Sequence, residues 1–294
     1  DGIELLENIT ISYPEIPAIM VTAIDKIETA LKAIKLGAYD YLTKPPDTER
    51  LFITVERALE QRLLKLERDS LRKPETVLQP DSKFSDIITN SQLMFKVFEL
   101  VKIFAPTNET ILIDGETGTG KDLIAKKIHE LSPRCKNPFV SVNLAAISSS
   151  LFESELFGYE KGSFTGAVSD KKGFFEAANT GTLFLDEIGE LNKELQGKLL
   201  RAIQYSEIYR IGSRKPIKLD LRIIAATNKE LYKSVQTGDF RADLYYRLNR
   251  GFIHLPPLRM RSEDIKPLSE HFIRLGNSTY NKNVMGISNN IIEI

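Results

Sequence analysis

The stretch TILIDGETGTGKDLIAKKI, residues 110–128, decides the fold of the larger part of the chain. TILID is an apolar run of strand length, and DLIAKKI repeats apolar residues at helical spacing. Between them, glycines at 115, 118 and 120 let backbone N–H groups close around an anion without Cβ clashes. The spacing Gly115-x4-Gly120-Lys121 predicts a phosphate-binding loop in which Lys121 and the following helix N-terminus contact a nucleotide.

A glycine-rich turn also occurs in strand–helix connections that bind nothing. Here the spacing, the lysine and the strand-to-helix context agree, which favours nucleotide binding over a purely structural turn. One position departs from the general motif, because Asp122 stands where a Ser or Thr usually binds magnesium. The predicted nucleotide-binding residues are Gly115, Glu116, Thr117, Gly118, Thr119, Gly120, Lys121 and Asp122.

Further apolar runs alternate with helical patterns on both sides of this loop. Helical spacing is found in DLIAKKIHEL (122–131) and QGKLLRAIQ (196–204). Near-continuous apolar strands are typical of a parallel sheet that is covered on both faces. We therefore expect an α/β domain with a parallel sheet. Its candidate strands are TILID (110–114), PFVSVN (138–143), GTLFLDE (181–187), LRIIAATN (221–228) and FIHL (252–255).

Polar residues end two of these strands. GTLFLDE runs into Asp186 and Glu187, at the edge of the sheet where α/β proteins bind ligands. Asp186 is suited to hold Mg²⁺ on the phosphates of ATP, and Glu187 to orient or deprotonate the attacking water. LRIIAATN ends on Thr227 and Asn228, which could sense the γ-phosphate. An acid pair or an Asn at a strand end is common without function, but the preceding phosphate loop favours a functional site.

Two arginines, Arg241 and Arg247, lie in the segment GDFRADLYYRL. An arginine can stabilise the charge on a transferred phosphoryl group, often from a neighbouring subunit. The alternative is a surface salt bridge with Asp239 or Asp243.

The composition excludes several classes of protein. Forty basic and forty acidic residues cancel, which leaves no electrostatic signature of nucleic-acid binding. A single cysteine excludes an internal disulfide framework and suits a reducing cytosol, so we expect a cytoplasmic protein. No apolar run approaches the roughly 20 residues that span a bilayer, so no membrane partner is expected. The three histidines and the cysteine show no metal-site spacing.

The N-terminal part has its own strand–helix–strand pattern, which predicts a second parallel α/β unit. Its segments are IPAIMVT (16–22), DKIETALKAIKLG (25–37) and AYDYLTKPP (38–46), and the helix carries Ile27, Leu31 and Ile34 on one face. From Thr48 to about Arg72, a charged pattern with Leu59, Leu63 and Leu66 predicts a linker helix or a short coiled coil. Residues 73–83 hold two prolines and no periodicity, so the predicted linker covers 48–83.

Six motifs in order closely resemble the AAA+ ATPase domain of sigma-54-dependent transcriptional activators, the NtrC-like bacterial enhancer-binding proteins. The resemblance covers roughly residues 84–275 and accommodates Asp122, since this family usually has an acid at that position. It implies a P-loop NTPase domain over 84–257, followed by the start of a helical lid over 258–294. The motifs are GETGTGK, ELFGYEKGSFTGA, GTLFLDEIGE, LRIIAATN, FRADLYYRL and LPPLRMR.

The resemblance also implies how the site works. The family assembles as a ring, usually a hexamer, and as a dimer when inactive, with ATP between subunits. Arg241 and Arg247 then resemble arginine fingers that act on a neighbour's nucleotide. Asn143 matches the residue that holds the catalytic glutamate in a resting state. The implied catalytic residues are Glu187, Asp186, Asn143, Arg241, Arg247 and Asn228, with ATP and Mg²⁺ as cofactors.

The segment GYEKGSFTGAVS, residues 158–169, is too rich in glycine for a core element and carries Phe164 at its expected tip. The family signature here is GAFTGA, and Ser163 replaces its alanine. The resemblance implies that this loop contacts sigma-54 RNA polymerase and moves with the γ-phosphate. The implied partner-binding residues are Gly162, Ser163, Phe164, Thr165, Gly166 and Ala167.

Residues 1–47 resemble the second half of a response-regulator receiver domain, which has a flavodoxin-like fold. Thr22, Tyr41 and Lys44 match its switch threonine, switch aromatic and phosphate-pairing lysine. We expect the phosphoacceptor aspartate before residue 1, and the sensor arginine and a helix-turn-helix DNA-binding domain after residue 294. The chain would then be an internal fragment, whose receiver responds to a sensor histidine kinase.

The expected function is that of a two-component activator that hydrolyses ATP to remodel sigma-54 RNA polymerase for promoter opening. Two alternatives are a AAA+ remodeller of another protein target and a regulatory scaffold that binds nucleotide without turnover.

Overall fold

The computed structural model describes residues 2–12, 16–23, 27–47, 81–148 and 151–287, together with residues 51, 52, 54, 55, 57 and 58. The chain divides into two compact units, Asp1–Val77 and Leu78–Ile294. Leu59, Leu63 and Leu66 lie outside the described residues, as do residues 73–80 of the expected linker. The predicted boundaries of the linker and of the lid stay predictions.

The first unit contains two parallel strands and the helices packed beside them. Its elements are α1 (Gly2–Ser12), β1 (Ala18–Thr22), α2 (Ile27–Lys35) and β2 (Ala38–Thr43). Strand β1 pairs with β2 in parallel, from Ala18 opposite Ala38 to Thr22 opposite Thr43. The predicted strand–helix–strand order and parallel pairing are therefore confirmed.

Helix α2 does not bury the face that its larger apolar residues share. Leu31 and Ile34 are 56% and 47% exposed, whereas Ala33 is fully buried against Leu6 and Ala38. The small side chain of Ala33 allows the helix to approach the strand closely. Gly37, with φ of +98°, ends the helical segment before β2.

The second unit is larger and alternates strands with helices. It begins with α3 (Gln92–Phe104), β3 (Ile111–Asp114), α4 (Lys121–Glu130), β4 (Phe139–Asn143), α5 (Phe152–Phe157), α6 (Phe174–Ala177) and β5 (Thr182–Asp186). It continues with α7 (Lys193–Tyr205), β6 (Glu207–Ile208), β7 (Ile217–Lys218), β8 (Arg222–Thr227), α8 (Leu231–Gln236), α9 (Ala242–Leu248), β9 (Gly251–His254) and α10 (Ile265–Tyr280).

Five of these strands form one parallel sheet in the order β4-β5-β8-β3-β9. Two apolar clusters cover it, one including Leu183 and Leu185 and the other including Phe184 and Ile224. Successive residues of β5 thus enter opposite cores, which explains why the strands read as continuous apolar runs. All five predicted strands are confirmed. Because they are parallel, their carboxyl ends meet at one edge of the sheet.

A buried arginine ties the sheet to α3. Arg222 is 1% exposed and donates hydrogen bonds to the carbonyls of Phe104 at 2.7 Å and Ala105 at 2.8 Å, at the end of the helix. A cation suits the carbonyl end of a helix. Burial, with a smaller contribution from Arg134, lowers the pKa of Arg222 to about 10.

No helix within the described part of the chain is both long and apolar enough to cross a membrane.

Candidate functional site

The loop between β3 and α4 has the backbone that its glycines predict. Gly118 and Gly120 have φ of +82° and +93°, a region that residues with a Cβ rarely adopt. A Cβ at Gly115 would lie 3.0 Å from the Leu255 Cβ, so the loop has little room there. The predicted glycine turn is thus required by both backbone angles and close packing.

The donors of this loop point to an anion site. No oxygen of the described residues accepts a hydrogen bond from the N–H groups of Gly118, Gly120 or Lys121. The Lys121 ammonium is buried and donates to the carbonyls of Gly115 at 2.9 Å and Glu116 at 3.3 Å. Unpaired amides at a helix N-terminus beside a lysine are suited to bind phosphates. Asp122 lies exposed in the first turn of α4.

Glu187 follows β5 in a left-handed conformation, with φ of +56° and ψ of +49°. Its carboxylate lies 3.9 Å from the Lys121 ammonium, and it accepts a hydrogen bond of 3.3 Å from the Asn228 N–H. A left-handed non-glycine residue stores backbone strain, which is frequent at functional sites. In this backbone conformation, the Glu187 carboxylate faces Lys121 of the phosphate loop.

Asn143 and Asp186 are register partners at the ends of β4 and β5. The Asn143 side-chain amide lies 3.5 Å from an Asp186 carboxylate oxygen, and its own oxygen accepts from the Ala146 N–H at 3.2 Å. Within the described residues Asn143 contacts Asp186 and makes no hydrogen bond to Glu187. Its predicted role in holding Glu187 stays a prediction.

Asp186 is the residue that could hold a metal ion. The Glu187 N–H donates to one of its carboxylate oxygens at 3.0 Å, and the side chain is half-buried. Groups of three or more His, Cys, Asp or Glu able to hold a metal do not occur among the described residues. One carboxylate, completed by phosphate oxygens and water, is the usual donor set for Mg²⁺, so this arrangement fits the predicted ion.

The end of β8 is joined directly to the phosphate loop. The Asn228 side-chain amide donates to the Thr117 hydroxyl at 3.0 Å, and the Thr227 carbonyl accepts from the Gly115 N–H at 3.2 Å. The Thr119 hydroxyl donates to the Glu116 carbonyl at 2.8 Å within the loop. Asn228 therefore contacts both Glu187 and the phosphate loop, and its role in sensing the γ-phosphate stays a prediction.

The two predicted arginines lie at opposite ends of helix α9. Arg241 precedes the helix, and its guanidinium donates to both carboxylate oxygens of Asp243 at 2.7 and 3.0 Å. These hydrogen bonds raise the pKa of Arg241 and lower that of Asp243. Arg247 is half-buried in the last turn. Among the described residues, neither arginine forms an ion pair with Glu187 or Asp186 of its own chain.

Two further arginines, which the sequence analysis did not single out, contact the phosphate loop. Arg259 forms a bidentate pair with Glu116, with one donor–acceptor distance of 2.7 Å, and this lowers the pKa of Glu116. Arg261 is 7% exposed and donates to the Thr119 carbonyl at 3.1 Å. Both belong to the LPPLRMR motif, which was the available signal, but its spacing does not indicate what the arginines contact.

The GSFTGA segment forms a loop that is tied at its base. Tyr159 exchanges backbone hydrogen bonds of 3.0 Å with Lys171, and the Gly162 N–H donates to the Ala167 carbonyl at 2.9 Å. The Phe164 ring packs edge-on against Tyr159 with centroids 5.0 Å apart, yet Phe164 is 44% exposed. The predicted exposed tip therefore exists, and it rests on a second aromatic residue. Thr165 and Gly166 are exposed beside it.

A second loop lies against this segment. The Glu160 N–H donates to the Ile211 carbonyl at 3.0 Å, in the connection between β6 and β7. A Cβ at Gly212 would lie 2.7 Å from the Ser163 Cβ, and the buried Ser163 hydroxyl has no hydrogen-bond partner among the described residues. Ser163, which replaces the family alanine, therefore packs directly against the second loop at Gly212.

The predicted receiver residues lie together in the first unit. Thr22 and Thr43 are partners at the ends of the two strands, and the Lys44 N–H donates to the Thr22 carbonyl at 2.7 Å. Tyr41 lies on β2 and packs partly buried against the small core of this unit. Thr22 and Lys44 thus meet at one edge of the strands.

Comparison with protein families agrees with this geometry. The model of the sigma-54 interaction domain matches residues 87–254, and that of the response regulator receiver domain matches residues 1–56. The chain belongs to the sigma-54 interaction domain family, with a receiver domain preceding that domain. The match extends over the phosphate loop, the acid pair, the GSFTGA loop and helix α9.

Individual relatives are longer than this chain. It is 46% identical to the regulatory protein AtoC of Escherichia coli strain K12, over 98% of this chain and 62% of AtoC. It is 44% identical to the DNA-binding transcriptional regulator NtrC of the same strain, over 94% of this chain and 57% of NtrC. The chain thus spans about three-fifths of the length of these curated relatives.

Among solved structures, NtrX from Brucella abortus has a similar fold. Its complex with ADP aligns over 100% of this chain and 64% of that protein, with a TM-score of 0.67 and 36% sequence identity. Its complex with ATP aligns over 98% of this chain, with a TM-score of 0.64 and 37% identity.

Proposed function

We propose that the chain is the ATPase and receiver region of a two-component transcriptional activator, which hydrolyses ATP to remodel sigma-54 RNA polymerase for promoter opening. The observation that carries the proposal is the joint placement of Lys121, Glu187 and Asn228 around the open amides of the phosphate loop. The NtrX complexes with ADP and ATP support nucleotide binding by this fold.

In the proposed reaction, ATP and water give ADP and inorganic phosphate. Water attacks the γ-phosphorus, the bond from that phosphorus to the β–γ bridging oxygen breaks, and ADP departs with the negative charge. Glu187 orients the water and accepts its proton, which then passes to the phosphate or to solvent. Lys121 and the loop amides stabilise the charge that develops on the phosphate oxygens.

Asp186 would hold Mg²⁺, which when bound neutralises charge on the β- and γ-phosphates. Asn143, register partner of Asp186, would fix the orientation of that carboxylate through its side-chain amide. Asn228 would couple the presence of the γ-phosphate to the phosphate loop through its hydrogen bond to Thr117.

Arg241 and Arg247 would complete the site of a neighbouring copy in a ring, usually of six copies, with a dimer as the inactive form. Support comes from the exposed position of Arg241 and from the lack of ion pairs, among the described residues, between either arginine and the acids of its own site. An arginine supplied by a neighbour is worth 10³- to 10⁵-fold in rate in other nucleotide hydrolases. Hydrolysis would then depend on assembly.

The loop Gly162–Ala167 would be the segment through which the ATPase acts on its partner, with Phe164 and Thr165 in contact with sigma-54. The exposed Phe164 and the family match favour this target over another remodelled protein. The presence of Lys121, the Asp186–Glu187 pair and both arginines favours turnover over a scaffold without it. The receiver unit would respond to a sensor histidine kinase. DNA would be contacted through a separate domain, and the protein would work in the cytoplasm beside RNA polymerase.

The test separates hydrolysis from output in the full-length protein. Lys121→Ala should abolish ATP binding and both activities, whereas Thr165→Ala should keep ATP hydrolysis and lose sigma-54-dependent open-complex formation. Ser169→Ala, an exposed hydroxyl close to the same loop, is the control and should keep both. Equal losses of hydrolysis and promoter opening in Thr165→Ala would contradict the output role.

A further inference from the structure

One buried side chain joins the turn after Glu187 to the backbone of Arg241. Gln196 lies on α7 and is fully buried. Its side-chain nitrogen donates to the carbonyls of Leu191 at 2.8 Å and Asp239 at 3.0 Å. Its side-chain oxygen accepts from the Arg241 N–H at 2.8 Å. The side chain thus bridges Leu191, five residues before it, to Asp239 and Arg241, which lie 43 and 45 residues after it.

The chemistry of the three partners fixes this amide in one orientation. Two partners are carbonyls and accept only, while the third is an N–H and donates only. Exchanging the nitrogen and oxygen of Gln196 would place like groups against each other at every contact. A buried amide that loses its partners is costly, so these contacts hold both segments firmly.

The first segment belongs to the chain's own nucleotide site. A short turn, Ile188–Glu190, follows Glu187 and ends at Leu191. Lys229 holds the same turn through an ion pair with Glu190 at 2.8 Å. Gln196 therefore contacts the end of the turn that follows Glu187, the residue whose carboxylate faces Lys121.

The second segment positions Arg241. Arg241 is the residue before α9, and its guanidinium is exposed and bound to Asp243 at the surface. An exposed ion pair of this kind contributes little to stability and restrains the guanidinium weakly. The hydrogen bond from its N–H to the buried Gln196 therefore restrains the Arg241 backbone more firmly than the surface pair restrains its guanidinium.

We propose that Gln196 is a positioning residue for Arg241. It anchors the Arg241 backbone to the Glu187 turn of the same copy, so that the guanidinium reaches the nucleotide held by a neighbouring copy. This rests on the proposed function, in which Arg241 acts between copies. Loss of the anchor lowers the rate of hydrolysis at the neighbour's site. Glu187 keeps its place in the chain's own site, because its N–H donates to Asp186 and its carboxylate accepts from the Asn228 N–H.

The test uses two full-length proteins, each inactive alone. The Glu187→Gln protein lacks the group that activates water but retains Arg241. The Arg241→Ala protein lacks the arginine but retains Glu187. In mixed rings, Arg241 of the first protein serves the intact site of the second, and hydrolysis is recovered. If the mixture recovers no activity, Arg241 does not act between copies, and the proposed function and the role of Gln196 both fail at this step.

Gln196→Met is then added to one protein at a time. It keeps the length of the side chain and removes all three hydrogen bonds. In the Glu187→Gln protein, which supplies Arg241, it should reduce the recovered rate on the order of 100-fold, the cost of a displacement of about 1 Å. In the Arg241→Ala protein, which supplies the working site, it should leave the recovered rate unchanged. Equal losses, or a loss only in the Arg241→Ala protein, would overturn the proposal while leaving the function between copies intact.

Folding and ring assembly are measured for both double variants by circular dichroism and analytical ultracentrifugation. If Gln196→Met does not assemble, Gln196→Leu takes its place, because it also removes the three hydrogen bonds and buries no charge. It should reproduce the asymmetry. A symmetric loss with Gln196→Leu would assign Gln196 to folding alone and overturn the positioning role.

Discussion

The Lys121 ammonium and the Glu187 carboxylate lie 3.9 Å apart. Lys121 donates to two carbonyls of the phosphate loop, and Glu187 follows β5 in a left-handed conformation. The pair places the proposed phosphate-binding cation beside the proposed base. Replacing the base should therefore separate binding from turnover.

Glu187→Gln removes the base and preserves the shape of the side chain. We expect nucleotide affinity close to that of the parent protein and a kcat for ATP hydrolysis reduced roughly 10²- to 10⁴-fold, the usual contribution of general base catalysis. Affinity is measured by calorimetric titration and kcat by phosphate release. Glu190→Gln, on the same turn but paired with Lys229, is the matched control and should retain kcat. Turnover near that of the parent in Glu187→Gln would exclude it as the base.

Gly212→Ala tests the contact between the two loops. Its Cβ would lie 2.7 Å from the Ser163 Cβ, so the GSFTGA loop must move. We expect ATP hydrolysis to persist and sigma-54-dependent open-complex formation to be lost. Gly238→Ala is the control, because it has a similar φ of +76° but open space around its Cβ. It carries the same left-handed strain of about 1 kcal/mol without the clash.

A second substitution makes the Gly212 prediction sharper. Ser163→Gly removes the atom that the new Cβ would meet, so the Ser163→Gly, Gly212→Ala double variant should recover open-complex formation relative to Gly212→Ala. The readout is promoter opening normalised to the rate of ATP hydrolysis. Failure of the double variant to recover any opening would show that Gly212 acts through its own backbone and not through Ser163.

Most of the sheet and the core of the site could be predicted because their signals are local. The strands of the second unit are apolar runs of strand length, and the phosphate loop is defined by glycine spacing within seven residues. The strand-end residues Asp186, Glu187 and Asn228 follow from the same rule, since parallel strands bring their carboxyl ends together.

The connections around the site could not be predicted, because they join residues far apart in sequence. Asp264 accepts from Thr89, 175 residues away, and Arg261 donates to Thr119, 142 residues away. Neither contact is indicated by a repeating pattern in the sequence. Gln196 is similar, since its position in an amphipathic helix indicates a polar surface residue and not a buried amide. The packing of α2 differs for another reason: the helix approaches its strand through Ala33, so Leu31 and Ile34 remain exposed.

The two arginines of the LPPLRMR motif should differ sharply in their effect on stability. Arg261 is buried, donates to the Thr119 carbonyl, and lies 3.7 Å from the fully buried Asp264. Arg261→Met leaves that carboxylate without its cation, and the free energy of unfolding should fall by about 3 kcal/mol. Arg259→Met breaks an exposed pair with Glu116 and should leave the free energy of unfolding almost unchanged. Urea denaturation of both variants checks this, and equal losses would contradict the role of Arg261.

His129 should make the stability of the second unit depend on pH. It is 5% exposed, and its ring packs against the Phe139 ring. Its Nδ1 lies 2.9 Å from the Thr182 hydroxyl oxygen. Burial lowers its pKa below the ordinary value of 6.5. Below pH 6.5 the unfolded chain therefore binds a proton that the folded chain does not, and unfolding becomes easier as the pH falls towards the folded pKa.

The contribution of His129 is complete above pH 6.5 and is lost below it, at up to about 1.4 kcal/mol per pH unit. His129→Gln retains an amide that can pair with Thr182 and cannot titrate, so the difference in unfolding free energy between pH 8 and pH 5 should shrink. Denaturant unfolding of both proteins at the two pH values measures it. An undiminished difference in His129→Gln would show that other groups cause the acid sensitivity, whereas a reduced one assigns it to the packing of this imidazole between α4 and the sheet.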